Sequence, residues 1–132
     1  MGQPAAKQGD LIQAMDIHII MVPSPGGPVP TPGPHPFVGA LNGSLSQNVN
    51  VMGMAAAVQG STADNAPPHL PIPPAGTFQK PPTNKGKIVM GSAKVLINGK
   101  PAARSGDSAM TCNDPTDLPA GTVMAVGSVL MG

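Results

Sequence analysis

His18, His35, His69 and Cys112 are the only imidazoles and the only thiol in the 132 residues. Three imidazole nitrogens and one thiolate form a donor set that suits tetrahedral zinc. Four protein ligands leave no position for water or substrate, which marks a structural rather than a catalytic site. The spacing matches no zinc finger. Taken one at a time, a histidine between prolines is ordinarily a solvated surface residue, and a lone cysteine a small buried hydrophobe. One cysteine also excludes an internal disulfide. Catalytic patterns are missing. There is no Ser-His-Asp arrangement and no carboxylate pair in a helical frame, and Gly26-Gly27 lacks the lysine and helix of a phosphate loop. No catalytic residue is assigned, and the chain is not expected to be an enzyme.

The four candidates gain weight from the elements that must position them. The stretch Gly99-Lys100-Pro101-Ala102-Ala103-Arg104-Ser105-Gly106-Asp107 has two relatives in the chain. Gly2-Gln3-Pro4-Ala5-Ala6-Lys7-Gln8-Gly9-Asp10 matches over the same nine positions, and Gly53-Met54-Ala55-Ala56-Ala57-Val58-Gln59-Gly60-Ser61 matches more loosely. His18, His69 and Cys112 each follow one copy within eight residues, so three equivalent units would bring them together near one axis. His35 has no counterpart in the repeat.

The constraint in the motif is geometric. Pro4 and Pro101 fix the backbone angle, while Ala5, Ala6, Ala55, Ala56, Ala57, Ala102 and Ala103 are small enough for close packing. Gly9, Gly60 and Gly106 supply a conformation a side chain would hinder. Arg104 is matched by Lys7 but by Val58 in the second copy, so its charge is not needed for the turn. Arg104 and Asp107, like Lys7 and Asp10, are expected to pair locally in the turn or to brace the ends of strands.

Leu11 to Val22, with Ile17, Ile19 and Ile20, reads as one strand. Residues 23–36 are too rich in proline for a helix and read as a rigid surface loop of polyproline character that presents His35. Phe37 to Gly53 reads as a hairpin turning at Asn42-Gly43. Val49 and Val51 alternate with Asn48 and Asn50 at the period of a half-buried strand. Residues 62–86 form a second Pro-rich loop. Lys87 to Gly99 and Gly121 to Gly132 repeat the hairpin, and the last must lie beside the N-terminal motif to close the three units and hide sheet edges.

Pro101-Ala102-Ala103-Arg104 is also the tetrapeptide that names the PAAR family. With its degenerate copies, the chain resembles the spike-tip proteins of contractile injection systems over residues 1–132. That resemblance implies a single all-β domain: a small cone of three pseudo-threefold hairpin-and-turn units, with a metal near the apex. It implies one structural Zn2+, with iron as the alternative, held by His18, His35, His69 and Cys112. It further implies that one tip caps a trimeric VgrG-like or phage hub-like spike and sharpens it for piercing an envelope. Such a protein is expected to be made in the bacterial cytoplasm and carried outward on an injection particle, in type VI secretion or an extracellular phage-tail-like assembly. No fused toxin is expected. The rival readings are a metal-binding adaptor that docks an effector through loops 23–36 and 62–86, and a metal-dependent hydrolase.

Composition agrees with a thin fold. Gly is 17 and Pro 18, more than a quarter of the chain, and with no Trp or Tyr a thick aromatic core is out of reach. Apolar residues still make up 40%, enough for order. The net charge is +1 and no basic stripe is present, which argues against a nucleic-acid partner. No apolar run approaches the roughly 20 residues of a membrane span, and no signal peptide is visible.

Overall fold

The computed structural model describes residues 2–132 and places them in thirteen strands, with no helix among the described residues. In chain order these are β1 (Gln3–Pro4), β2 (Leu11–Val22), β3 (Val29–Gly43), β4 (Asn50–Val51), β5 (Met54–Ala55), β6 (Thr62–Asn65), β7 (Thr77–Phe78), β8 (Lys85–Ile88), β9 (Leu96–Ile97), β10 (Lys100–Pro101), β11 (Ser108–Thr111), β12 (Leu118–Met124) and β13 (Leu130–Met131). Each motif copy is followed at once by an outgoing strand: β2, β6 or β11. Each outgoing strand pairs with a returning one: β3, β8 or β12. The three antiparallel pairs join in the order β12-β11-β8-β6-β3-β2, and β12 pairs with β2 to close a small six-stranded barrel. Closure removes the sheet edges within the barrel, beyond which β2 and β3 extend as a pair.

The motif copies meet on the axis of this barrel. Their backbones form two cyclic triangles of hydrogen bonds. Ala6 N–H donates to Ala103 O (2.9 Å), Ala103 to Ala57 O (3.0 Å), and Ala57 to Ala6 O (3.0 Å). Gln8 N–H donates to Ala55 O (2.8 Å), Gln59 to Pro101 O (2.9 Å), and Ser105 to Pro4 O (2.9 Å). Ala6, Ala57 and Ala103 are buried, since three chains converge there and leave room for one methyl each. The turns after them repeat as well. Gly9, Gly60 and Gly106 have φ of 91°, 100° and 93°, and a Cβ at any of them would touch nothing within 4 Å. Glycine is therefore required by backbone angle and not by space.

Asp10, Ser61 and Asp107 cap these turns through their side chains, accepting the backbone N–H of Lys7 (3.0 Å), Val58 (3.0 Å) and Arg104 (2.7 Å). The expected local pairs form, at 3.1 Å between Lys7 Nζ and Asp10 Oδ2 and 2.7 Å between Arg104 and Asp107 Oδ1. Ser61 does the capping without an ion pair. Asp107 also keeps the Arg104 N–H when the guanidinium is removed. Arg104→Ala should accordingly cost about 0–1 kcal/mol in chemical denaturation. A larger loss would show that the guanidinium has a specific partner beyond this turn.

Three two-stranded hairpins ring the motif end: β4–β5, β9–β10 and β13–β1. Two of them turn at Met52-Gly53 and Asn98-Gly99, both with positive φ at both positions (51° and 83°; 53° and 79°). In the third, Met131 pairs with Gln3 and Leu130 with Pro4, so the chain ends meet where the other units have a turn. This is the closure expected from the repeat. The hairpin turn itself differs from expectation, because β3 runs through Asn42 and ends at Gly43. Gly43 is there for close approach: a Cβ would collide with Thr62 Oγ1.

The stretch 23–36 also differs from the rigid loop read in the sequence. Its residues 29–36 are strand, paired with β2 in unbroken register from Val22↔Val29 to Leu11↔Ala40. Pro30, Pro32, Pro34 and Pro36 recur every second residue, so all four missing donors face away from β2, while Thr31, Gly33 and His35 face it. The free edge this leaves is blunted by the same prolines. Likewise residues 62–86 hold β6, β7 and part of β8, with irregular chain between β6 and β7.

Candidate metal centre

Alternation carries the candidate ligands inward. Along β2, Ile12, Asp16, His18 and Ile20 are buried while Gln13, Met15 and Ile17 are exposed. Along β3, His35, Phe37 and Leu41 are buried. His35 sits directly opposite Asp16, and Gly33 opposite His18. His69 follows β6 in the irregular segment, and Cys112 follows β11. Phe37, Ile12, Leu41, Ile88, Ala109 and Val123 fill the barrel below them. On the other side Phe78 of β7 packs its ring edge-on to His18 (centroids 5.7 Å apart) and at a tilt to His35 (5.6 Å).

Of the four residues singled out from the sequence, His18, His69 and Cys112 bring ligand atoms within 4.8 Å of one another, and His35 packs its ring beside His18 and His69 without joining that group. Their rings lie 4.9 Å (His18–His69), 5.4 Å (His18–His35) and 5.7 Å (His35–His69) apart. Imidazoles bound tetrahedrally at about 2.0–2.1 Å from one ion have centres roughly 5 Å apart. Cys112 Sγ lies 3.7 Å from His18 Nε2. Co-ligands of one zinc ion, with Zn–S about 2.3 Å, stand roughly 3.5 Å apart.

Two buried ring nitrogens, His18 Nδ1 and His35 Nε2, have no hydrogen-bond partner among the described residues. His35 Nδ1 lies 2.9 Å from Gly33 O and donates to it, which leaves Nε2 bare for a cation. His18 Nδ1 stands 3.5 Å from Asp114 Oδ2, the placement of an outer carboxylate that orients a ligating imidazole through its far nitrogen.

One further residue, not singled out from the sequence, enters the cluster. Asp16 is fully buried, and its carboxylate, His18, His69 and Cys112 offer ligand atoms all within 4.8 Å of one another. Asp16 Oδ2 lies 2.9 Å from His69 Nε2 and 3.5 Å from Cys112 Sγ. Asp16 Oδ1 accepts from Thr111 Oγ1 and from Asn113 Nδ2 (3.4 Å). The tautomer of His69 follows from Asn65. Asn65 Oδ1 accepts the Val38 N–H (2.9 Å), so its Nδ2 is the donor, to Asn84 Oδ1 (3.2 Å) and to His69 Nδ1 (3.3 Å). Nδ1 therefore accepts, and Nε2–H donates to Asp16; for Nε2 to bind a metal, the proton must move to Nδ1 and the bond from Asn65 must give way. The signal for Asp16 is present in the sequence as a carboxylate two residues before His18 on the inward period of β2.

Burial sets the proton states. It is the largest influence lowering the His18 pKa, followed by His69, so the ring is neutral and able to bind metal at neutral pH. Burial also pushes the Cys112 thiol up to about 11, with Asp16 adding to the rise. Without metal, Cys112 is a thiol at pH 7, and it must lose its proton to bind. Metal uptake at pH 7 should release about one proton per chain, read with a pH indicator in weak buffer, and apparent affinity should fall as the pH is lowered. Metal uptake without proton release would show that the thiolate is not a ligand.

A family model described as the PAAR motif matches residues 21–115 and 78–131, which together span most of the chain. No curated protein matches.

Proposed function

The chain belongs to the PAAR-motif family, and on that premise we propose that it is a structural tip protein whose hairpin-ringed base caps a trimeric spike of a contractile injection system and whose metal-bound end sharpens it for piercing. The observation that carries this reading is the threefold base. The cyclic bonding of Ala6, Ala57 and Ala103 makes one chain present three equivalent hairpins, a surface that matches a true threefold trimer. Those hairpins and their flanks expose Met52, Leu96, Leu130 and Val126, at 54%, 63%, 58% and 76% of their surface. Exposed apolar area marks an interaction site where it is contiguous; Met15, Leu70 and Ile72 are also exposed, away from the hairpins.

His18, His35, His69 and Cys112 would hold one Zn2+, which supplies cross-linking and no reaction step. The end of a cone has too few residues for a core, and a structural metal is a staple for such a place. The protein is thus read as a mechanical part, made in the bacterial cytoplasm and exported on the particle. A second reading, an adaptor that also docks an effector, draws on a groove of about 520 Å³ between β3 and the segment after β6, lined by Pro36, Val38, Leu70 and Ile72.

The test is co-expression with a trimeric spike protein, followed by size exclusion and mass determination. One chain per trimer is expected, and Leu96→Asp with Leu130→Asp should abolish the complex while the free protein stays folded. A stable 3:3 complex, or no association with any spike trimer, would overturn the capping role.

A further inference from the structure

The group of ligand atoms that lie within 4.8 Å of one another contains an acidic residue, Asp16, and not His35. Asp16 is wholly buried, yet among the described residues no lysine or arginine pairs with it. Its neighbours are two neutral donors, Thr111 and Asn113, and two candidate ligands, His69 and Cys112. A carboxylate in such a place needs a compensating positive charge, or it is strongly destabilising. A bound cation supplies that charge.

Resting on the metal reading above, we propose that Asp16 is the specificity-determining residue of the centre: it sets the total charge so that the site takes a divalent cation in preference to a monovalent one. With neutral imidazoles, the Cys112 thiolate and the Asp16 carboxylate carry two negative charges, which a divalent ion cancels. A monovalent soft ion, which the same imidazole and thiolate donors also suit, leaves one negative charge buried. Two effects oppose each other at Asp16. Metal binding at His69 Nε2 displaces the hydrogen bond to Asp16. Attraction between a carboxylate and a divalent ion bound among its neighbours is stronger than one such hydrogen bond, because it acts between full charges in a buried place. The charge effect is the larger, so Asp16 strengthens divalent binding. Thr111 and Asn113 hold its Oδ1 and keep the carboxylate aimed at the cluster.

The experiment measures dissociation constants of the full chain for Co2+ and, under reducing anaerobic conditions, for Cu+, each by competition with a chelator of known affinity. Wild type, Asp16→Asn and Thr111→Val are compared. Asp16→Asn should weaken Co2+ by about 10–100-fold. Its Cu+ affinity should be unchanged or tighter, because the site is then neutral with a monovalent ion. Thr111→Val should shift the Co2+/Cu+ ratio in the same direction by less, and it decides the matter if Asp16→Asn does not fold. Equal weakening of both ions would overturn the proposal, since lost packing alone does that. So would no change in either. Failure of the wild type to bind Co2+ would remove the metal reading itself, a result separate from any effect of the variants.

Discussion

Cys112→Ser should release the metal and lower the melting temperature by about 10 °C or more, measured by calorimetry alongside elemental analysis of the purified chain. Metal binding energy is folding energy wherever the unfolded chain has no preformed site. At a free metal concentration about 1,000 times the dissociation constant, that contribution is about 4 kcal/mol. In a chain of 132 residues each kcal/mol moves the midpoint by several degrees. The effect should be large here because the cluster joins segments distant in sequence. His18 lies on β2, His35 on β3, His69 after β6 and Cys112 after β11, so one ion ties together members of all three strand pairs. The barrel below keeps its own apolar contacts, with Phe37, Ile12, Leu41 and Val123 fully or almost fully buried, so the variant should stay folded at room temperature. A wild type purified without metal, melting at the same temperature before and after zinc addition, would sink this expectation.

Ala103→Leu should destabilise the fold by about 1–3 kcal/mol through overpacking, read as a lower midpoint in chemical denaturation with an unchanged slope. Ala103 has no exposed surface, its N–H is bonded to Ala57 O at 3.0 Å, and its O accepts from Ala6 at 2.9 Å. Side chains cannot grow there without pushing apart two neighbouring motif copies, because each closes a hydrogen-bond triangle through the others. Ala6→Leu and Ala57→Leu should cost similar amounts, since the three positions are equivalent. If Arg104→Ala proved more damaging than Ala103→Leu, the steric account of the repeat would be wrong.

Much of this architecture was written in local pattern. The repeated Gly-x-(Pro/Ala)-Ala-Ala-x-x-Gly motif led to a pseudo-threefold all-β fold closed by its own ends, and the structure closes as Met131↔Gln3 and Leu130↔Pro4. Constraints of this kind are local: a glycine at φ near 90° and an alanine with room for one methyl leave their mark residue by residue. Leu11–Val22 was legible as a strand for the same reason. The sequence could not tell that prolines every second residue would form strand rather than loop. That depends on a partner, β2, lying on the side where β3 keeps its donors. Nor could it place the hairpin turn, because Asn42-Gly43 has the composition of a turn but is needed for the approach of Thr62.

At the candidate metal centre the residue types were determined by the sequence alone, and their arrangement by the tertiary structure. His18, His69 and Cys112 followed from the repeat. His35 had no repeat position, and it lies beside the cluster because the β2–β3 register sets it opposite Asp16. Asp16 was visible as a carboxylate inside an apolar strand, but its bearing on the site depended on three-dimensional proximity. A charge acts over a few ångströms in space, and the groups within that reach of Asp16 come from positions as distant in the chain as His69, Thr111 and Cys112. Sequence order carries the period that points a side chain inward. Only the closed barrel decides what it meets there.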